Sequence, residues 1–227
     1  MGKSQLLKDL VSGSISLENI LLRLKIILSD LENETIMEWI NGELEGYGEE
    51  AELPKYRVLT GVPMGTFIVN GRVQYTESQV PVESLLTLQQ VEELKTVHLY
   101  DSVSTLQLIS NSDREGKYGK QISTYECHYI SKPHLQIASM HVVIPSNQIT
   151  GIVFKVKSKL LDVIMELEKR FTNLDELDIK SQIQNNETKE QIVNNIGQII
   201  YEGTIEIGDK NKIKSSGIGK LFKGGKQ

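Results

Sequence analysis

Cysteine is nearly absent from this chain: Cys127 stands alone among 227 residues. No disulfide can close within it, which suits a reducing compartment. Tryptophan is also single, as Trp39, beside four phenylalanines and five prolines. No apolar run approaches the roughly 18 residues of a membrane helix, so no span is expected. Asp9 interrupts the first amphipathic pattern, so the opening residues hold no apolar signal core. Met1-Gly2 hints at myristoylation, but Leu6 stands where that motif needs Ser or Thr. A basic excess is missing too. The 25 Lys and Arg face 30 Asp and Glu, for a net charge of -5. Nucleic acid is therefore not invited globally, and a local patch is what remains open. Together these absences predict a cytoplasmic protein with no membrane role.

What is present is enough apolar material for a core, with 39% hydrophobic residues. A chain of this length buries about 70% of its unfolded surface. Leu17, Ile20, Leu21, Leu24, Ile27, Leu28 and Leu31 recur at helical spacing, with Ser16 as the N-cap. A second helix is predicted from Glu34 to Gly46, capped by Asn33 and stopped by Gly46 and Gly48. The short polar join predicts antiparallel packing of the two. The period then changes. Lys55 to Thr60 reads as a strand, and residues 66–69 and 72–75 flank Asn70-Gly71, the strongest short hairpin signal.

Residues 83–110 read as mostly helical and 111–120 as a polar loop. Tyr125 to Ile130 fits a short helix and Leu135 to Ile144 a strand ended by Pro145. Residues 147–171 form the clearest long helix, with Ser146 able to cap it and a stripe from Ile149 to Phe171 facing inward. A polar linker follows, then a helix over Glu187 to Ile200. The end of the chain alternates as Thr204-Ile205-Glu206-Ile207 and repeats small residues to Gly219. The expected fold is α+β: N-terminal helices, a sheet containing the hairpin, a long C-terminal helix and a short β-rich tail. The expected divisions are a domain over 1–172, a linker and helix over 173–202, and a lysine-bearing tail over 203–227.

One stretch carries a resemblance. Glu38-Trp39-Ile40-Asn41-Gly42-Glu43-Leu44-Glu45-Gly46-Tyr47, followed by Glu52-Leu53-Pro54-Lys55-Tyr56-Arg57, resembles the AbiTii family. A helix ends on Trp and Glu-Leu-x-Gly-Tyr, then Leu-Pro-x-Tyr-Arg opens a strand. The Leu21–Leu31 helix and the late helix with Leu160-Leu161-Asp162 and Glu166-Leu167-Glu168 also look similar, so the resemblance spans residues 3–172. It implies abortive infection, in which an infected bacterium limits phage spread. It carries no settled catalytic residues to this chain.

Each candidate site has a bland counterpart. Trp39, Asn41, Glu43, Tyr47 and Arg57 could form a binding surface. Alternatively the aromatics are core anchors, and Asn41 and Glu43 fix the following loop. Glu34, Glu38, Glu43 and Glu45 suggest a metal-dependent nuclease, or a solvated acidic face. Cys127, His128, His134 and His141 follow no zinc-ligand spacing. His98, Asp101 and Ser102 are close in sequence, but there is no nucleophile elbow. Gly217-Ile218-Gly219-Lys220 lacks the spacing of a phosphate loop. No metal and no cofactor is expected.

The tail offers two readings. Lys210, Lys212, Lys214, Lys220 and Lys223 could contact phosphates nonspecifically. Ile205, Ile207, Ile213 and Ile218 need burial, and copies of the chain would supply it as a homo-oligomer. The sequence therefore predicts a noncatalytic defence component that binds a protein partner from host or phage and self-associates. The alternatives are a metal-dependent nuclease-type effector and a nucleic-acid binder.

Overall fold

A computed structural model of the chain describes residues 2–111, 118–183 and 186–201. It is an α+β fold with eight α-helices and two antiparallel sheets among those residues. Helix α1 (Gln5–Ser12) leads into α2 (Leu17–Ser29) and α3 (Glu34–Glu45). The Ser16 side chain accepts from the Asn19 amide and the Asn33 side chain from the Ile36 amide, so both expected caps are present. Each satisfies an amide that the helix itself leaves unpaired. Gly46 ends α3 with its amide donating to the Gly42 carbonyl.

Strands β1 (Val58–Thr60), β2 (Val62–Val69) and β3 (Val73–Gln79) come next. The hairpin turns at Asn70-Gly71, where both residues have positive φ, at 49° and 64°. After it come α4 (Leu88–Lys95), β4 (Thr96–His98) and α5 (Val103–Asn111). Then follow β5 (Tyr118–Ile122), α6 (Thr124–Ile130) and β6 (Leu135–Ile144). The chain closes with α7 (Ser146–Arg170) and α8 (Asn186–Tyr201). The larger sheet has the order β3-β2-β6-β5, and β1 pairs with β4 apart from it.

The central strand β6 buries Leu135 and Ile137, then Met140, Val142 and Ile144. The step of three between Ile137 and Met140 coincides with a register shift, since Thr66 faces Ser139 while Phe67 faces Ile137. The extra residue is a bulge that keeps both apolar runs on one face. Helix α6 lies against β6, and α7 is flanked by α5 and α8. Helix α7 buries Ile149, Ile152, Val156, Leu160, Val163, Ile164 and Leu167. Each such side chain contributes about 1.5–3 kcal/mol when fully withdrawn from water.

Four expectations shift. Residues 55–57 form a 3-10 turn, because the Arg57 amide turns back to the Pro54 carbonyl, and the strand shortens to β1. The helical reading of 83–110 is broken by β4, which pairs with β1 at Leu59↔Val97. Residues 118–120, expected as the end of a polar loop over 111–120, belong to the strand Tyr118–Ile122. Helix α7 starts at Ser146 itself and has no side-chain cap, with Pro145 at the cap position. Past α7, Leu174 and Ile179 are buried, and α8 packs on α7 and α3. The tail residues Ile205, Ile207, Ile213 and Ile218 and Lys210, Lys212, Lys214, Lys220 and Lys223 lie outside the described residues.

Candidate functional site

The Trp39-to-Arg57 stretch folds into one polar network that is almost entirely interior. Residues 39 and 43 are one helical turn apart, so α3 presents Trp39 and Glu43 on the same buried face. The chain then doubles back through the loop after Gly46. Gly42 makes this possible: a Cβ there would stand 2.2 Å from the Tyr47 ring. The ring lies directly on the helix backbone. The Tyr47 amide donates to the Tyr100 carbonyl at 2.7 Å, pinning the loop to the segment before α5.

Glu43 is the hub. Its Oε1 accepts from the Tyr47 hydroxyl at 2.8 Å, the Tyr56 hydroxyl at 2.9 Å and Arg57 Nε at 3.3 Å. Its Oε2 accepts from Arg57 Nη2. Both Glu43 and Arg57 are fully excluded from solvent. The remaining guanidinium nitrogen, Nη1, donates to the Asp101 carbonyl at 2.6 Å. Trp39 Nε1 donates to the Tyr56 hydroxyl oxygen at 2.8 Å. The guanidinium also sits 5.3 Å from the Tyr47 ring centroid. The Asp101 side chain in turn accepts from the Tyr118 hydroxyl of β5. Helix α3, the turn before β1, the segment after β4 and the edge of the larger sheet are thus joined through two carboxylates, Glu43 and Asp101.

Burial sets the electrostatics. It pushes the Tyr47 and Tyr56 hydroxyls far above the ordinary tyrosine range, and the Glu43 charge beside them adds to the shift. Burial disfavours the Arg57 charge, but Glu43 and the two tyrosines outweigh it and raise its pKa. Tyr201, at the end of α8, is raised first by burial and then by Glu52, Glu38 and Glu43. Helix α8 itself packs on α3, which carries Trp39 and Glu43.

The predicted site residues therefore fall into two groups. Trp39, Glu43 and Arg57 are interior, and Tyr47 is half-buried with them. Asn41 is half-buried outside the network, and its Oδ1 is covered without a hydrogen-bond partner among the described residues. Sequence reasoning passed over Tyr56, although it stands next to Arg57 in the same dipeptide. It also missed Asp101 and Tyr118, which no local pattern connects to Glu43. Of the acidic set, Glu34, Glu38 and Glu45 are exposed while Glu43 is enclosed. Among the described residues no group of three or more His, Cys, Asp or Glu is placed to hold a metal ion.

The other candidates are dispersed. Cys127 is buried, and burial raises its thiol pKa. His128 and His134 are exposed. The Ser102 hydroxyl contacts Ser104 and Thr105 at 2.9 and 3.0 Å and accepts from the Thr105 amide, which is a helix-start role. His98 stacks on Tyr100 at 6.2 Å. Two open hollows of about 500 and 420 Å³ lie elsewhere, one beside Asp30, Asp178 and Lys180, the other beside Lys3, Glu168 and Asp175.

A family model for AbiTii matches residues 4–194. The chain belongs to the AbiTii family. Membership associates it with abortive infection, a bacterial defence against phage. The match extends past α7 into α8, so it takes in the whole Glu43 network and the helices around it. No curated protein and no solved structure matches the chain. Among the described residues no helix is long and apolar enough to cross a membrane.

Proposed function

We propose that this AbiTii protein is a noncatalytic phage-defence component that works in the cytoplasm by protein–protein recognition and self-association. The observation that carries the reading is the enclosure of its most reactive-looking cluster. Glu43 accepts four hydrogen bonds from interior donors, and Arg57 donates its own to Glu43 and to backbone. A carboxylate held in this way is an architectural hub. A catalytic acid or base instead needs room beside it for a reacting atom. Recognition then falls to the outer surface. Two stacked, exposed tyrosines on α6, Tyr125 and Tyr129, stand 6.4 Å apart, and α2 exposes Leu22 and Ile26 one turn apart. Exposed aromatic pairs of this kind suit protein interfaces.

Self-association is assigned to Ile205, Ile207, Ile213 and Ile218, whose alternation fits strands completed by neighbouring copies. Sedimentation of the full chain, alongside one carrying Ile205→Asp, Ile207→Asp, Ile213→Asp and Ile218→Asp, tests this. The full chain is expected to run as an assembly and the variant as a single copy. Phage protection, read as plaque counts, is expected to fall with the assembly. A full chain that sediments as one copy at every concentration overturns the self-association reading.

A further inference from the structure

Charge is unevenly divided along this chain. Residues 202–227 hold six lysines against Glu202, Glu206 and Asp209, a net of +3, so the chain's -5 leaves -8 on residues 1–201. Part of that excess sits in one stretch. No Lys or Arg occurs between Lys25 and Lys55, while residues 34–52 carry seven glutamates. Arg57 pairs with Glu43 in the interior, and Lys25 reaches Glu45 at 3.6 Å. Glu34, Glu38, Glu49, Glu50 and Glu52 are exposed. At 3.6 residues per turn, positions 34, 38, 41 and 45 fall within one sector of about 60° on α3. This helix face thus carries an excess of negative charge over the cations beside it.

The described fold ends on a helix packed against this one. Tyr201 closes α8, and α8 contacts α3; after burial, the charges of Glu52, Glu38 and Glu43 also act on its hydroxyl. Lys210 lies nine positions past Tyr201, a reach of up to about 30 Å. The twelve residues of α3 span about 18 Å. The tether is long enough to lay the lysines anywhere along the helix.

We infer that the outward face of α3, with the loop over residues 48–52, is the docking surface for the chain's own lysine segment, Lys210 to Lys226. Attachment beside the surface gives the segment a high effective concentration, so a chain's own tail outcompetes a neighbour's. Docking supplies cations to the glutamates. It also sets this face against phosphate groups as a rival for the same lysines. The inference goes beyond the self-association reading: the isoleucines can still pair between copies, and the test below reads the two apart.

Full-length chain labelled with ¹⁴N and with ¹⁵N is mixed in equal amounts at about 1 µM, where tethered contacts dominate. A zero-length carbodiimide cross-linker then joins lysines to adjacent carboxylates, and peptide mass spectrometry maps the links. The expected links run from Lys210–Lys226 to Glu34, Glu38, Glu49, Glu50 or Glu52 within single-isotope pairs. Their yield is expected to drop about fivefold at 1 M salt, where the screening length shrinks to about 3 Å. The exposed changes Glu38→Gln, Glu49→Gln, Glu50→Gln and Glu52→Gln together are expected to raise acetylation rates at the tail lysines about twofold, because the docked state is lost. Links to carboxylates outside residues 34–52, or unchanged acetylation in the variant, overturn the inference. Mixed-isotope links overturn it as well, and assign the face to a neighbouring copy's tail.

Discussion

Glu43 and Glu166 are both buried, and the protein holds them in opposite ways. Glu43 sits on α3 with its partners inside: Arg57 is as enclosed as the carboxylate itself, and Tyr47 and Tyr56 are half-buried. Glu166, on α7, is 6% exposed, but its cations reach in from water. Lys169 Nζ lies 2.8 Å away with its side chain 67% exposed, and Arg170 Nε lies 3.9 Å away with its side chain 37% exposed. A third donor, Asn195 Nδ2 of α8, stands at 2.7 Å. Similar burial therefore hides a different dependence. Water can replace the cations at Glu166, whereas at Glu43 no solvent is at hand. Losing one partner there strands a charge in the interior.

The largest effect should come from breaking the interior pair. Arg57→Met leaves Glu43 without its cation and frees the Asp101 carbonyl. Urea unfolding at pH 7 should show a loss of about 3–5 kcal/mol. The double variant Glu43→Leu, Arg57→Met removes both charges together and should lose less than Arg57→Met alone. A double variant no more stable than the single one would mean that the pair acts by shape and not by charge. The comparison with Glu166 would then collapse.

That contrast also marks what the sequence could disclose. The hairpin was legible because Asn70-Gly71 fits a turn that demands positive φ. The starts of α2 and α3 were legible because Ser16 and Asn33 act on amides three residues away. Local chemistry was enough in each case. Strand β4 was not legible, since its three residues continue the apolar spacing of α4 and gain strand character only by pairing with β1. Strand β5 reads as loop because it holds Gly119 among polar residues. Yet a Cβ on Gly119 would stand 1.7 Å from the Val142 carbonyl oxygen, so the strand fits only without a side chain there. At the site, the spacing from Glu43 to Tyr47 is local and visible. The pairing of Glu43 with Arg57 spans 14 residues and depends on a loop path that no periodicity encodes.

The tyrosines sharpen the comparison on the alkaline side, because Tyr47 and Tyr56 touch Glu43 and neither touches Glu166. Burial and the Glu43 charge hold both hydroxyls far above the ordinary value of 10.0. Tyr118 is raised by burial and by Asp101, and Tyr201 by burial and by nearby glutamates. A raised folded value favours the protonated form in the fold. Its stabilisation is complete below the unfolded value near 10 and is lost as pH climbs above it. Each such tyrosine adds a slope of up to about 1.4 kcal/mol per pH unit in that window. Stability from urea midpoints should hold flat up to about pH 9 and fall beyond 10. The variant Tyr47→Phe, Tyr56→Phe should fall about half as steeply, two of the four raised groups being gone. An unchanged slope would show that the hydroxyls near Glu43 reach solvent.

The smallest effect should be at Glu166. Burial alone would raise its pKa, but hydrogen bonds from Lys169 and Asn195 outweigh burial and bring it below 4.5. A depressed folded value means that the charged form favours the fold. The stabilisation is present above about pH 4.5 and fades as pH falls through the folded value. Glu166→Gln removes that charge while keeping an acceptor for Asn195, so the loss at pH 7 should be about 1 kcal/mol. The gap between wild type and variant should close as pH falls from 4.5 through the lowered folded value. Hydrogen exchange should locate the loss in α8, which Asn195 ties to α7, and leave α3 unchanged. If Glu166→Gln instead costs as much as Arg57→Met, solvent-borne cations hold a buried carboxylate as firmly as interior ones do. The enclosure of Glu43 would then have to be explained by what it excludes, since it would no longer be needed for strength.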